Sequence, residues 1–71
     1  MKYAVVIEKA ENNYSAYVPD LPGCISTGRT IDEAEHNIAE AIAFHLAGLR
    51  EGGQTAPIPT THVAELEIAA G

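Results

Sequence analysis

Pro19-Asp20-Leu21-Pro22-Gly23-Cys24 runs directly into Ile25-Ser26-Thr27-Gly28-Arg29-Thr30 and then into Ile31-Asp32-Glu33-Ala34-Glu35-His36-Asn37-Ile38. Two prolines and a glycine sit between stretches of strand-like composition. Proline at 22 fixes φ and glycine at 23 supplies a conformation that other residues resist, so Asp20–Gly23 reads as a tight turn. Cys24–Thr27 is then a short strand ended by Gly28. Thr30 is a good helix N-cap, and Glu33 three residues on completes a capping box in which each residue satisfies the other's backbone donor.

Downstream of that cap, Ile31, Ala34, Ile38, Ala41, Ile42, His45 and Leu49 fall on one stripe at about 100° per residue. Asp32, Glu33 and Glu35 crowd the positive end of the helix dipole, and Arg50 sits near the negative end. Gly52-Gly53 supplies the stop. One amphipathic helix is therefore expected from Ile31 to Arg50.

Upstream, Lys2–Lys9 concentrates Tyr, Val and Ile and reads as a strand. Ala10-Glu11-Asn12-Asn13 reads as a hairpin turn, with asparagine tolerating the left-handed conformation. Tyr14–Val18 is the returning strand, closed by Pro19, which cannot donate to a ladder. Past the helix, Pro57-Ile58-Pro59 is extended because each proline excludes the helical region for its predecessor. His62–Ala69 alternates, with Ala64, Leu66 and Ile68 on one face and Val63, Glu65 and Glu67 on the other, the pattern of a half-buried fourth strand.

The expected fold is α+β, in the order β-β-β-α-β, as a single domain over residues 1–71: one mostly antiparallel sheet with the helix on one face. A right-handed crossover would place the last strand parallel to the first, at the edge opposite the third. Both faces of the first strand are fairly apolar, with Tyr3, Val5 and Ile7 on one and Ala4, Val6 and Glu8 on the other. A chain this small covers little of its sheet, and a homodimer is expected.

Ten acidic against four basic residues give a formal charge of −6. Such a chain repels phosphate backbones, so direct nucleic-acid binding is not expected, and it attracts a basic partner. One cysteine rules out an internal disulfide framework and fits a reducing cytoplasm. No apolar run approaches the roughly 18–20 residues of a membrane-spanning helix.

Catalytic signals are weak. His36 and His45 lie on nearly opposite sides of the helix, no HExxH or close His/Cys pair exists with them or His62, and no metal or other cofactor is expected. Cys24 has no histidine close in sequence to activate it and reads as a small buried residue. Glu8, Asp20, Glu65 and Glu67 are the one carboxylate set that two strands might gather, as in a minimal metal-dependent hydrolase, yet Glu65 and Glu67 alternate as a solvated face does. The turn instead holds Asp20 and Leu21 at the surface of a rigid scaffold, where recognition residues are found. The candidate partner-binding residues are Asp20, Leu21, Pro22, Gly23, Glu65 and Glu67, with no catalytic residue and no metal ligand.

Taken in order, Tyr17-Val18, Pro19-Asp20-Leu21-Pro22-Gly23-Cys24, Gly28-Arg29-Thr30, Glu33-Ala34, Asn37, Glu40-Ala41-Ile42, Gly53 and Pro57-Ile58-Pro59 resemble the N-terminal domain of HicB-type antitoxins. The resemblance covers nearly the whole chain. It implies a partial ribonuclease-H-like fold without the nuclease's catalytic carboxylates. It also implies a small basic HicA-like toxin as partner, a messenger-RNA-cleaving ribonuclease whose active surface the antitoxin covers. Many such antitoxins carry a C-terminal DNA-binding segment; these 71 residues contain none, so operator binding is not part of the expectation. An orphan oligomerisation domain without a toxin is the alternative.

Overall fold

The computed structural model describes residues 1–70. Three antiparallel strands, β1 (Val6–Lys9), β2 (Tyr14–Tyr17) and β3 (Ile25–Gly28), precede one helix, α1 (Ile31–Glu51). The sheet order is β1-β2-β3. Val6 faces Tyr17 and Lys9 faces Tyr14 across the first pair; Tyr17 faces Ile25 and Tyr14 faces Gly28 across the second. The α+β class, the hairpin and the helix are as the residue pattern leads one to expect.

Alternation assigns the two faces. Ala16 and Val18 are buried beneath the helix, joined by Leu21, Cys24 and Ile38, with Tyr3, Val5, Ile7, Ala41, Ile42 and Leu46 packed around them. Directly opposite residues share a face, so Val6, Tyr17 and Ile25 form a row on the other side. The helix packs on the opposite side, and here Val6 is half-buried. Tyr17 stays 42% and Ile25 70% exposed.

The helix begins as expected, with one refinement. Thr30 Oγ1 accepts the Glu33 N–H at 3.0 Å, but the Glu33 carboxylate takes the N–H of Arg29 at 2.9 Å rather than that of Thr30. At the other end Gly53 adopts φ +74°, and its N–H donates to the Arg50 carbonyl while that of Gln54 reaches Leu49. Gly28 ends β3 where the first turn of α1 crosses it. A Cβ there would lie 2.4 Å from the Ala34 nitrogen, so only glycine allows helix and strand to approach this closely. Asn37 fastens the same contact, donating from Nδ2 to the Thr27 carbonyl at 2.8 Å. As a result the helix packs mainly over β3, less over β2 and little over β1.

Three expectations need correction. The turn at Ala10–Asn13 closes through Ala10 N–H to the Asn13 carbonyl at 2.8 Å, with no left-handed asparagine. Leu21 is not at the surface but fully buried. The loop turns it inward through hydrogen bonds from Leu21 N–H to the Val18 carbonyl and from Cys24 N–H to the Leu21 carbonyl, both 3.0 Å, and Gly23 at φ +82° completes the bend. A leucine placed on the inner side of that bend gains more by filling the core than by facing water.

The third correction is the fourth strand. Residues 62–69 pair with no strand and every one is exposed, so no parallel neighbour of β1 forms. The segment leaves the body instead, stretching the molecule to 52 × 27 × 16 Å. The radius of gyration, 14.1 Å, exceeds the roughly 11 Å of a compact domain of this length.

Candidate protein-interaction surface

Asp20 is where the projecting segment is fixed. Its Oδ1 accepts the hydroxyls of Thr60 and Thr61, each at 3.0 Å, and its Oδ2 accepts their backbone N–H groups at 3.1 and 3.0 Å. The Thr61 N–H donated to the carboxylate is the main reason its pKa is held below the usual value, against a smaller opposing effect of desolvation. Beside it, the Tyr3 hydroxyl donates to the Pro57 carbonyl. Both anchors lie at the end of the sheet where β1 begins and β2 ends. Asp20 therefore has an internal task, and its oxygens are already occupied.

The other candidate residues separate. Leu21 belongs to the core, whereas Pro22 and Gly23 are exposed at the tip of the same loop, just before Ile25. Glu65 and Glu67 are exposed on the projecting segment together with Val63, Leu66 and Ile68. Glu8 lies on the sheet face away from the helix, opposite Ser15 and two residues beyond the row containing Val6. Among the described residues no three His, Cys, Asp or Glu side chains converge, so the carboxylate set Glu8, Asp20, Glu65 and Glu67 is not assembled. Cys24 is a core residue, and burial raises its thiol pKa.

The row Val6-Tyr17-Ile25 was not singled out by the residue pattern, although the strand alternation contains it. It runs across all three strands at the loop end of the sheet. A shallow hollow of roughly 320 Å³ adjoins it, lined by Ser15, Tyr17, Ile25 and Thr27 among others. A central aromatic and two aliphatic side chains, with Glu8 on the same face, make a surface suited to holding another protein. No helix among the described residues is long and apolar enough to cross a membrane.

Residues 3–70 match the model of a family described as a HicB-like antitoxin of bacterial toxin–antitoxin systems. A UPF0150 protein of Helicobacter pylori is 46% identical over 66 residues, covering 90% of both chains. A UPF0150 protein of Thermoplasma acidophilum is 39% identical over 71 residues, covering 99% of this chain and all of that one. An uncharacterized 14.9 kDa protein from the rep-hol intergenic region of Haemophilus phage HP1 is 46% identical over 57 residues; the match covers 80% of this chain but only 43% of the phage protein. Among solved structures, that of TTHA0281 from Thermus thermophilus superposes with a TM-score of 0.67 at 30% identity, over 82% of each chain. Nearly the full length thus matches one set of relatives, and the chain belongs to the HicB-like antitoxin family of bacterial toxin–antitoxin systems.

Proposed function

We propose that this protein is a cytoplasmic, non-catalytic antitoxin that works as a homodimer, binding a small basic HicA-like ribonuclease and covering the surface with which it cleaves messenger RNA. Family membership over residues 3–70 is the observation that carries the reading. Two physical features support it. The charge of −6 speeds encounter with a basic ribonuclease. The Val6-Tyr17-Ile25 row supplies the apolar contact that sets the lifetime of a complex.

In this reading Pro22 and Gly23 border the contact beside Ile25, and Glu65 and Glu67 provide its acidic rim. Asp20 contributes indirectly by holding the segment that carries those glutamates, and Leu21 by making the loop rigid. Binding alone suffices for inhibition, because a covered active surface excludes RNA whatever the chemistry beneath it.

The test is co-expression with any short basic reading frame found adjacent to the gene. Growth arrest by that frame alone, relieved by this protein, is the expected outcome. Arrest that persists, with no complex recovered, would remove the reading.

A further inference from the structure

Alongside β3, the strand over which α1 packs most closely, a groove of roughly 470 Å³ opens between the helix and the loop end of that strand. Cys24, Ile25, Ala41, Phe44, Gly48 and Leu49 line it, among others. Phe44 stands 82% exposed at this groove. Gly48 keeps the space open. A Cβ built there would meet nothing within 4 Å, so packing within one copy does not call for glycine. Inside a helix glycine is also less stable than alanine or leucine. The vacancy serves nothing in the isolated fold.

The adjoining edge of β3 carries free backbone groups. The Val18 N–H donates to the Cys24 carbonyl at 3.2 Å, so the backbone of Cys24 faces β2. These directions alternate along an antiparallel strand, and Ile25 and Thr27 turn theirs to the outer edge. Asn37 takes the Thr27 carbonyl at 2.8 Å. Among the described residues no strand pairs with that edge, which leaves the N–H groups of Ile25 and Thr27 and the Ile25 carbonyl to an incoming chain. An extended segment pairs with such an edge through its main chain and places alternate side chains in a neighbouring pocket.

Charge selects the occupant. Glu33, Glu40 and Glu51 are exposed and share the ridge of α1 that carries Phe44, by their spacing from it at the helical period. The lysines and arginines lie elsewhere: Lys2 and Lys9 on the β1 side, Arg29 past the opposite end of β3, and Arg50 about 120° around the helix from Phe44. Among the described residues only His36, 3.6 Å from Glu40, and His45 in the groove can add positive charge here. We propose that an extended basic segment of the ribonuclease partner pairs with β3 at Ile25 and Thr27, seats an apolar side chain between Phe44 and Gly48, and sets lysines or arginines against Glu40 and Glu51. This rests on the antitoxin reading and extends its contact, because Ile25 belongs both to the row with Val6 and Tyr17 and to the groove.

The probe is a purified HicA-like ribonuclease, with its affinity for the full chain and for three variants measured beside inhibition of RNA cleavage. Gly48→Leu fills the groove and favours the helix, so circular dichroism should be kept while affinity falls about tenfold or more, as when an apolar anchor is lost. Phe44→Ser, at an exposed position, should act in the same direction. Glu40→Lys/Glu51→Lys should slow association, most strongly at low salt. Amide exchange at Ile25 and Thr27 should slow in the complex. Full affinity in both Gly48→Leu and Phe44→Ser, or unchanged exchange at both amides, while the unaltered chain still inhibits, would overturn the groove and leave the antitoxin reading standing. An unaltered chain that binds no ribonuclease would overturn both. A fall in the mass of the free protein on Gly48→Leu would show a second copy in the groove and overturn the proposal as well.

Discussion

Asp20 holds Thr61 through two hydrogen bonds of 3.0 Å, one from the backbone N–H and one from the hydroxyl, across 41 residues of sequence. Thr60 binds the same carboxylate in the same manner. The contact converts an acidic loop residue into the fastening of the C-terminal segment. Asp20→Ala should therefore leave sheet and helix folded while amide exchange at Thr60 and Thr61 accelerates markedly. Unchanged exchange at those two amides would show that the clamp carries no weight.

The same carboxylate sets a pH dependence. Its pKa in the folded chain lies below the ordinary 3.8. A depressed carboxylate adds stability that is fully present above the unfolded value and is lost as pH falls through the folded one. The segment should stay clamped at neutral pH and loosen only below pH 3.8, as protonation removes the acceptor charge. Amide resonances of Thr60 and Thr61 followed through an acid titration would check this, and the transition should be absent in Asp20→Asn.

At Gly28 the expected effect is on stability. An added Cβ would meet the Ala34 backbone nitrogen at 2.4 Å and its Cα at 2.8 Å, and backbone cannot move aside as a side chain can. Gly28→Ala should cost about 2–3 kcal/mol, in the range of overpacked cores, measured by urea unfolding. Thr30→Ala, which removes only the helix cap, should cost about 1 kcal/mol.

Leu21 and Phe44 make a matched comparison of buried and exposed apolar residues. Leu21 is fully buried in the loop, whereas Phe44 is 82% exposed on the helix. Leu21→Ala should destabilise by about 2–5 kcal/mol, and Phe44→Ala by about 0.5 kcal/mol or less. Equal losses in a denaturant series would contradict the assigned core.

Local rules made most of this fold legible. The cap at Thr30, the stripe through Ala34 and Ile38 and the glycines after Glu51 act over a few residues, so composition and spacing reveal them. The hairpin follows in the same way from the strand-like stretches on either side of Ala10–Asn13, although its register does not. What escaped depends on partners distant in sequence. Leu21 lies in a segment whose Pro and Gly announce a turn, and turn chemistry does not say which side of the bend meets the core; its apolar side chain, flanked by the buried Val18 and Cys24, was the available sign. Asp20 finds its donors about forty residues away, and only the adjacent hydroxyls of Thr60-Thr61 hinted at them. Gly28 looked like a strand terminator, because the close crossing of α1 exists only in three dimensions.

The fourth strand is the most instructive difference. Alternation at Ala64, Leu66 and Ile68 states that the segment suits a sheet, but it does not name the sheet. Residues 62–69 follow the Asp20 contacts without pairing with any strand, and the pattern stays exposed. The candidate surface was legible in part for the same reason. Glu65 and Glu67 are exposed as expected, while the apolar row of Val6, Tyr17 and Ile25 emerges only once the strands are aligned.

Charge on that segment should govern recognition. Glu65→Lys/Glu67→Lys reverses two exposed carboxylates, so the domain should remain folded while association with a basic ribonuclease slows, most strongly at low salt. Binding kinetics across an ionic-strength series, with circular dichroism as the folding control, would measure it. Unchanged rates would place the acidic contact elsewhere.

The most direct measurement is a titration of a purified HicA-like ribonuclease, the product of any short basic reading frame found beside the gene, with this protein, following RNA cleavage and complex mass together. Cleavage should fall in proportion to the protein added and cease at a fixed stoichiometry, with a complex of defined mass forming in parallel. Cleavage that continues undiminished, with the two proteins migrating separately, would contradict the account.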